Sequence, residues 1–247
     1  MNAKTAYFNN SKFGESDHTS AIVPLISENK QTGELFFIGT AFYISSSGIL
    51  MTVKHNLFDK KNNLFENLGV FHFLPNNNYI LRPIRKMTYT DNYDIAYLLP
   101  DQILDKNNMS INSPSLVLTE STPEINEQLA TYGYPNSRMD KVEAHFNAEF
   151  FLGNCVEYHS NGFVLLKNPC FQTSILIKSG TSGGPVFDKS GKVFAVCSTG
   201  FDLIPGEENI SSVTPIKPSF NLILEDGSGN KMSILELIDK KIISFSE

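Results

Sequence analysis

Short runs of apolar or alternating residues, each about five to ten residues long, recur along most of this chain. Val, Ile, Phe and Tyr fill many of them, and turn-forming residues such as Ser46-Ser47-Gly48 separate them. Alternation with a period of two is typical of β-strands. In the first hundred residues it predicts six strands, at residues 21–26, 35–44, 48–53, 68–74, 79–85 and 95–99. Six short antiparallel strands suit one small closed barrel.

A second series of strand-like runs follows a polar, turn-rich stretch between Pro100 and Pro114. Within it, Asp188-Lys189-Ser190-Gly191-Lys192 predicts a hairpin turn. The predicted strands cover residues 115–118, 127–133, 142–152, 162–166, 171–176, 185–188, 192–198 and 211–216. We therefore divide the chain into a first barrel at residues 18–105, a linker at 106–118 and a second barrel with a helix at 119–247.

The helix is predicted near the end of the sequence. Ser233-Ile234-Leu235-Glu236 has the capping-box pattern, in which a serine and a glutamate three residues later satisfy the first backbone N–H groups of a helix. Leu235, Ile238 and Ile242 would then lie on one helical face.

Composition narrows the class of protein. Hydrophobic residues make up 41% of the 247 residues and charged residues 19%, as in globular proteins with a substantial core. A net charge of −6 and the lack of a basic run argue against nucleic-acid or membrane partners. No signal-peptide or membrane-spanning pattern is visible. Three cysteines without metal-like spacing predict small apolar packing in a reducing compartment, so we expect a cytoplasmic protein without metal or cofactor.

The strongest chemical signal is the run Gly180–Pro185, which reads Gly-Thr-Ser-Gly-Gly-Pro. A serine hydroxyl becomes a useful nucleophile only where the chain bends to expose it and a base can reach it. Glycines permit such a bend and leave backbone N–H groups free to face a developing oxyanion. Taken alone, the run fits a glycine-rich hairpin equally well.

Two further residues supply the base that a serine nucleophile needs and a partner for that base. His55 ends a predicted hairpin strand, and Asp94 directly precedes the apolar segment Ile95–Leu99. An acid at the mouth of a buried strand needs a partner, and an imidazole N–H is a natural one. The other histidines, at positions 18, 72, 145 and 159, lack a comparable strand-to-turn context, and His72 is expected to face away from the core.

In this order, the segments resemble the trypsin-like (chymotrypsin-fold) serine peptidases, whose triad runs His, Asp, Ser along the chain. The resemblance is closest to disulfide-free bacterial members such as the heat-shock proteases. It rests on Gly39-Thr40-Ala41-Phe42, Ile49–His55, Asp94–Leu98, Gly133-Tyr134-Pro135 and Gln172–Pro185, within residues 22–216. It implies an all-β fold: two antiparallel six-stranded β-barrels packed together, with a C-terminal α-helix on the second barrel.

The resemblance also implies a role for each candidate residue in a serine endopeptidase. Ser182 would attack the peptide carbonyl, His55 would act as the base, and Asp94 would orient His55. The backbone N–H groups of Gly180 and Ser182 would form the oxyanion hole. Substrate-binding positions would be Leu176, Ile177, Lys178, Ser198, Thr199 and Gly200.

The predicted pocket has no acidic residue at its floor, which favours an apolar P1 residue, the substrate residue before the cleaved bond. Lys178 could instead turn inward and favour acidic P1 residues. The expected partner is a protein or peptide substrate, with a regulatory protein as a further possibility. Two alternatives stay open: a catalytically idle trypsin-fold binding module, and a peptidase effector that a partner sensor switches on.

Overall fold

A computed structural model describes residues 18–74, 79–139, 143–164, 166–200 and 209–246. The first six strands close into a barrel in the order β1-β2-β3-β6-β5-β4, and every pair of neighbours is antiparallel. These strands are β1 (Ile22–Glu28), β2 (Leu35–Tyr43), β3 (Leu50–Thr52), β4 (Leu68–Phe73), β5 (Tyr79–Tyr89) and β6 (Ala96–Pro100).

A second closed barrel has the order β10-β11-β14-β13-β12-β7. Its strands are β7 (Gln128–Gly133), β10 (Glu149–His159), β11 (Cys170–Thr173), β12 (Pro185–Phe187), β13 (Val193–Gly200) and β14 (Ser211–Pro215). Two small hairpins are added to the barrels: β8 (Arg138–Met139) with β9 (Ala144–His145), and β15 (Ile223–Glu225) with β16 (Lys231–Ser233). The all-β, two-barrel prediction is confirmed.

Several strands are buried on both faces, which explains their almost continuous apolar sequence. In β2, Ala41 and Tyr43 belong to the core of the first barrel, whereas Phe42 belongs to a cluster that joins the two barrels. We call the latter the inter-barrel cluster. Its members include Phe42, Met51, Ile95 and Tyr97 from the first barrel, Ala130, Tyr132, Phe187 and Val196 from the second, and Ile234 and Leu237.

The linker between the barrels is held on both sides. Leu118 N–H donates to the Ser244 carbonyl at 2.8 Å, and Ser246 N–H donates to the Leu118 carbonyl at 2.9 Å. On the other side, Thr119 N–H donates to the carbonyl of Val193 in the second barrel at 2.9 Å. Residues 115–118 thus form isolated bridges at Leu118 in place of the predicted strand. The domain boundaries at 105/106 and 118/119 stay a prediction.

Two further strand predictions are wrong. The segment expected as one strand at 142–152 contains β9 (Ala144–His145) and the start of a separate strand, β10, which runs from Glu149 to His159; residue 142 lies outside the described residues. In the segment expected as a strand at 162–166, Gly162 and Val164 adopt positive φ values of 87° and 49° that no regular strand contains, and residue 165 lies outside the described residues. Sequence patterns also missed the β15–β16 hairpin.

The Asp188–Lys192 turn is confirmed, and its geometry recurs. Asp188 Oδ1 accepts the N–H groups of Ser190 and Lys192 at 2.8 and 3.0 Å, and Gly191 has a φ of 78°. Loops that begin at Asp59, Asp105 and Asp226 repeat the same two carboxylate bonds and the same positive φ. These hydrogen bonds lower the pKa of Asp59, Asp105 and Asp226.

The capping box is also confirmed, but the predicted apolar face is wrong. Helix α1 (Ile234–Asp239) begins after Ser233, whose hydroxyl accepts the Glu236 N–H. Ile234 and Leu237 are its buried residues, whereas Leu235 is 45% exposed. Because the helix ends at Asp239, Ile242 is not on it. The buried residues join the inter-barrel cluster, so the helix does not rest on the second barrel alone.

His72 faces inward, contrary to expectation. It is 3% exposed, and its Nδ1 lies 3.1 Å from the hydroxyl of Tyr43. Arg82 Nη1 donates to that hydroxyl at 2.9 Å. Burial, together with the charge of Arg82, lowers the pKa of His72 to about 4. Alternation failed here because part of the barrel interior is polar.

The burial of α1 gives a paired stability prediction. Leu237→Ala should lower the free energy of unfolding by about 2–5 kcal/mol, since it removes buried methyl groups from the inter-barrel cluster. Leu235→Ala, on the exposed face of the same helix, should change it by at most about 0.5 kcal/mol. Urea unfolding followed by circular dichroism measures both. Equal losses in the two variants would contradict the assignment of the buried face.

Candidate active site

Asp94 holds His55 by two hydrogen bonds. His55 lies in a 3-10 turn (Lys54–Leu57) directly after β3, and Asp94 lies just before β6, the neighbour of β3. His55 Nδ1 is 2.8 Å from Asp94 Oδ2, and the His55 backbone N–H donates to Asp94 Oδ1 at 3.0 Å. An ionised carboxylate only accepts hydrogen bonds, so Nδ1 carries a proton and Nε2 is left to act as a base.

The carboxylate of Asp94 is buried, with only 8% of the residue exposed. Burial alone would raise its pKa, but the hydrogen bonds and charge interaction with His55 outweigh it and lower the pKa of Asp94. The hydroxyl of Ser198 contributes to the same lowering. Asp94 is therefore an anion at neutral pH, and it can stabilise a positively charged imidazole.

Ser182 lies in the predicted sharp turn. Gly180 and Gly183 have φ values of 95° and 86°, and the Gly184 N–H donates to the Thr181 carbonyl at 2.9 Å. Residues with a side chain rarely adopt such φ values, which explains why glycine occupies both positions. Ser182 Oγ donates to the Ser198 carbonyl at 3.2 Å rather than to His55. Ser198 thus contacts both Ser182 and Asp94, and the structure brings the three candidate residues around it.

Two backbone N–H groups in this turn face no protein acceptor within the described part of the chain. The N–H groups of Thr181, Gly183 and Gly184 donate to the carbonyls of Lys178, Cys197 and Thr181. Those of Gly180 and Ser182, the two predicted oxyanion-hole donors, have no corresponding bond there. They are free to receive a negatively charged oxygen.

The predicted substrate-binding positions lie on two adjacent segments. Leu176 is half-buried and Ile177 is 7% exposed. The end of β13 passes so close that a Cβ on Gly200 would lie 2.0 Å from the Ile177 carbonyl oxygen. Thr199 Oγ1 is buried without a hydrogen-bond partner among the described residues. The two predicted walls of the pocket are therefore in contact.

Lys178 is paired rather than free. Its ammonium lies 2.8 Å from Glu149 Oε2 and 5.2 Å from the centre of the Phe151 ring, both on β10. Sequence reasoning missed Glu149, because no pattern relates it to a lysine 29 residues away. The pair directs the lysine charge towards β10.

A cleft of about 750 Å³ lies next to His55 and Asp94. Phe58, Tyr93 and Pro169 provide apolar surface in it, and Thr199 lines it from the second barrel. The cleft is thus lined by two of the three candidate triad residues, His55 and Asp94.

The described residues contain no group of three or more His, Cys, Asp or Glu side chains placed to hold a metal ion. None of the helices in the described ranges has the length and apolar character needed to cross a bilayer. The three cysteines are buried and unpaired.

Comparisons with known proteins agree with this geometry. A family model described as a trypsin-like peptidase domain matches residues 39–196. A comparison with curated protein sequences found no significant match.

Among solved structures, the Rv3671c protease from M. tuberculosis in its active form is 17% identical, covers 81% of this chain and 78% of its own, and has a TM-score of 0.55. The HtrA-type protease AlgW with a decapeptide is 16% identical with a TM-score of 0.59. The match covers 87% of this chain and 65% of the AlgW chain. This chain therefore spans slightly less than two thirds of the AlgW chain. Likeness at such identities shows the shared fold.

The glycines of the turn give a second paired prediction. A Cβ on Gly183 would lie 2.1 Å from the Thr40 carbonyl oxygen and 2.2 Å from Thr52 Oγ1, whereas one on Gly33 would meet nothing within 4 Å. Both residues have positive φ values, so Gly33→Ala should cost about 1–2 kcal/mol of unfolding free energy from backbone strain alone. Gly183→Ala adds steric overlap and should cost more. Urea titrations of both variants decide this, and equal costs would contradict the close packing.

Proposed function

The chain belongs to the trypsin-like peptidase domain family, and from that premise we propose that it is a serine endopeptidase with the triad His55, Asp94 and Ser182. The observation that carries the proposal is that the ring and the backbone N–H of His55 both donate hydrogen bonds to Asp94, beside the glycine-flanked turn of Ser182. The buried Asp94 carboxylate fixes the tautomer of His55, which leaves His55 able to accept a proton and return it.

In the proposed reaction, Ser182 Oγ attacks the peptide carbonyl while His55 Nε2 accepts its proton. The resulting imidazolium is stabilised by Asp94 and then gives the proton to the leaving amine. The oxyanion of the tetrahedral intermediate receives the N–H groups of Gly180 and Ser182, and loss of one such donor typically lowers kcat by about 10²–10³-fold. Water then hydrolyses the acyl-enzyme with His55 again acting as the base.

The proposed substrate is an extended segment of a protein or peptide. Residues 198–200 at the end of β13 would pair with its backbone, which gives affinity with little sequence selectivity. The P1 side chain would contact the half-buried Leu176, since Ile177 is packed in the core of the second barrel, and apolar side chains gain about 25 cal/mol per Å² buried there. The Lys178–Glu149 pair supports this preference, since it holds the lysine charge away from Leu176.

One observation favours a second candidate. Ser182 Oγ donates to the Ser198 carbonyl, so it must rotate before His55 can take its proton. A peptidase effector that a partner sensor switches on would rest in such a state, with loop ordering completing the site. The buried, unpaired cysteines support a cytoplasmic location for either candidate.

A fluorophosphonate probe tests the nucleophile. Wild-type protein should be labelled, Ser182→Ala should not, and Ser179→Ala should behave as wild type because it removes another serine from the same loop. His55→Ala and Asp94→Asn should each slow labelling by several orders of magnitude, since the triad acts as a unit. Intact-mass spectrometry reads the adduct. Labelling that persists in Ser182→Ala would reject this nucleophile, and an unlabelled wild type would favour the idle or partner-switched alternatives.

A peptide-library cleavage profile tests the pocket. Cutting should be dominant after apolar residues, and Leu176→Asp should shift it towards Lys and Arg, because a carboxylate at the floor pairs with a cation. Leu235→Asp places the same change on the exposed face of α1 and should leave the profile unaltered. Dominant cutting by the wild type after Lys, Arg, Asp or Glu would refute the proposed preference.

A further inference from the structure

The carbonyl groups on either side of the Ser182 N–H are held by the first barrel. The Ser182 carbonyl accepts the Thr40 backbone N–H at 2.9 Å and the Asn56 amide Nδ2 at 2.9 Å. The Gly180 carbonyl accepts the Thr40 hydroxyl at 2.8 Å. All three donors belong to the first barrel, whereas both carbonyls belong to the turn that carries the candidate nucleophile.

The direction of each hydrogen bond is fixed by its neighbours. Thr40 Oγ1 accepts the Tyr134 N–H at 3.2 Å, and its own proton is directed at Gly180. Thr52 Oγ1 donates to the Thr40 carbonyl at 2.7 Å, so towards Asn56 it can only accept, at 3.2 Å. The end of the Asn56 amide that faces Thr52 and Ser182 therefore meets two acceptors and must be the nitrogen.

Two glycines make room for this amide. A Cβ on Gly39 would lie 2.6 Å from Asn56 Nδ2, and one on Gly183 would lie 2.9 Å from it. Thr40 and Thr52 are fully buried, and Asn56 is 4% exposed. The network is dry and closely packed, a setting in which hydrogen bonds fix geometry firmly.

Holding these carbonyls fixes the peptide units 180–181 and 182–183, which flank the unit that contains the Ser182 N–H. The carbonyl of that central unit, Thr181, accepts the Gly184 N–H at 2.9 Å. The Ser179 carbonyl accepts the Asn136 N–H at 2.9 Å. In a planar trans peptide the N–H points opposite to the carbonyl, so the Gly180 N–H is turned away from Asn136.

We propose that Thr40 and Asn56 are positioning residues for the oxyanion hole, through which the first barrel orients donors carried by the second. The inference rests on the proposed function, because an oxyanion hole has a role only in acyl transfer. Neither side chain touches the reacting atoms in this account; both act through the carbonyls of Gly180 and Ser182.

The test is the second-order rate of fluorophosphonate labelling between pH 5.5 and 9, since the phosphonyl oxygen occupies the oxyanion position. Thr40→Val keeps the shape but removes the hydroxyl, and Asn56→Asp keeps the shape but places an acceptor against the Ser182 carbonyl. Each should slow labelling about a hundredfold, the cost of a misplacement of about 1 Å. Thr40→Ser restores the hydroxyl and should restore the rate.

Two controls separate positioning from a purely structural role. Ser219→Ala removes another buried hydroxyl, which is bonded to Tyr97 and to the Ile216 carbonyl rather than to the Ser182 turn, and should label as wild type. In Thr40→Val the rate should fall at every pH while the midpoint of the pH profile is unchanged, since His55 and Asp94 keep their own hydrogen bonds. A wild-type rate in folded Thr40→Val and Asn56→Asp, or a shifted midpoint in Thr40→Val, would overturn the inference.

A crystal structure of the wild-type adduct decides the matter even if the variants do not fold. It should show the phosphonyl oxygen facing the Gly180 and Ser182 N–H groups, with Asn56 Nδ2 on the Ser182 carbonyl. An Asn56 amide bonded elsewhere would overturn the inference. If the wild type is not labelled at any pH, the peptidase that is active without a partner is rejected, and the unliganded crystal structure still tests the contacts of Thr40 and Asn56.

Discussion

The packing of two barrels against each other is the constraint on which the rest of this structure depends. His55 and Asp94 belong to the first barrel and Ser182 to the second, so no single barrel contains the candidate triad. The inter-barrel cluster that aligns them is apolar and includes residues of both barrels and of α1. Apolar packing is strong but non-directional. It brings the two halves together without setting the angles that chemistry requires.

Directional contacts across the same interface set those angles. The Tyr134 hydroxyl donates to the Ile22 carbonyl at 2.7 Å, and the bonds from Thr40 and Asn56 reach the Ser182 turn. The side chains of Tyr134, Thr40 and Asn56 are buried, where an unmade hydrogen bond costs about 1–3 kcal/mol. A small slip between the barrels would break several of them at once. The two barrels therefore have one favoured relative position, and this position also fixes how the candidate triad residues lie relative to one another.

Much of the fold and the three candidate residues could be predicted from the sequence, because local signals specify them. Turn residues and alternation located all six strands of the first barrel, and glycines marked the Ser182 turn. The failures concern relations between distant residues. Which face of α1 is buried depends on the barrels beneath it, and His72 faces inward, where the hydroxyl of Tyr43 is its hydrogen-bond partner.

The partners of the site were missed for a similar reason. Asn56 directly follows His55 and is unremarkable in sequence, and its role becomes visible only when Gly39 and Gly183 are seen to leave space for its amide. Glu149 neutralises Lys178 from another strand. No period of two or 3.6 residues encodes such contacts, since they arise from the way strands are wound into barrels.

The backbone contacts of Leu118 affect the order in which the protein can fold during its synthesis. The backbone around this linker residue pairs with Val193 on one side and with Ser244 and Ser246 on the other. The ribosome synthesises residues 243–246 after both barrels, so the contacts of Leu118 with Ser244 and Ser246 form only once this segment has emerged. Until then the halves of the site lack one of the supports that hold them in register.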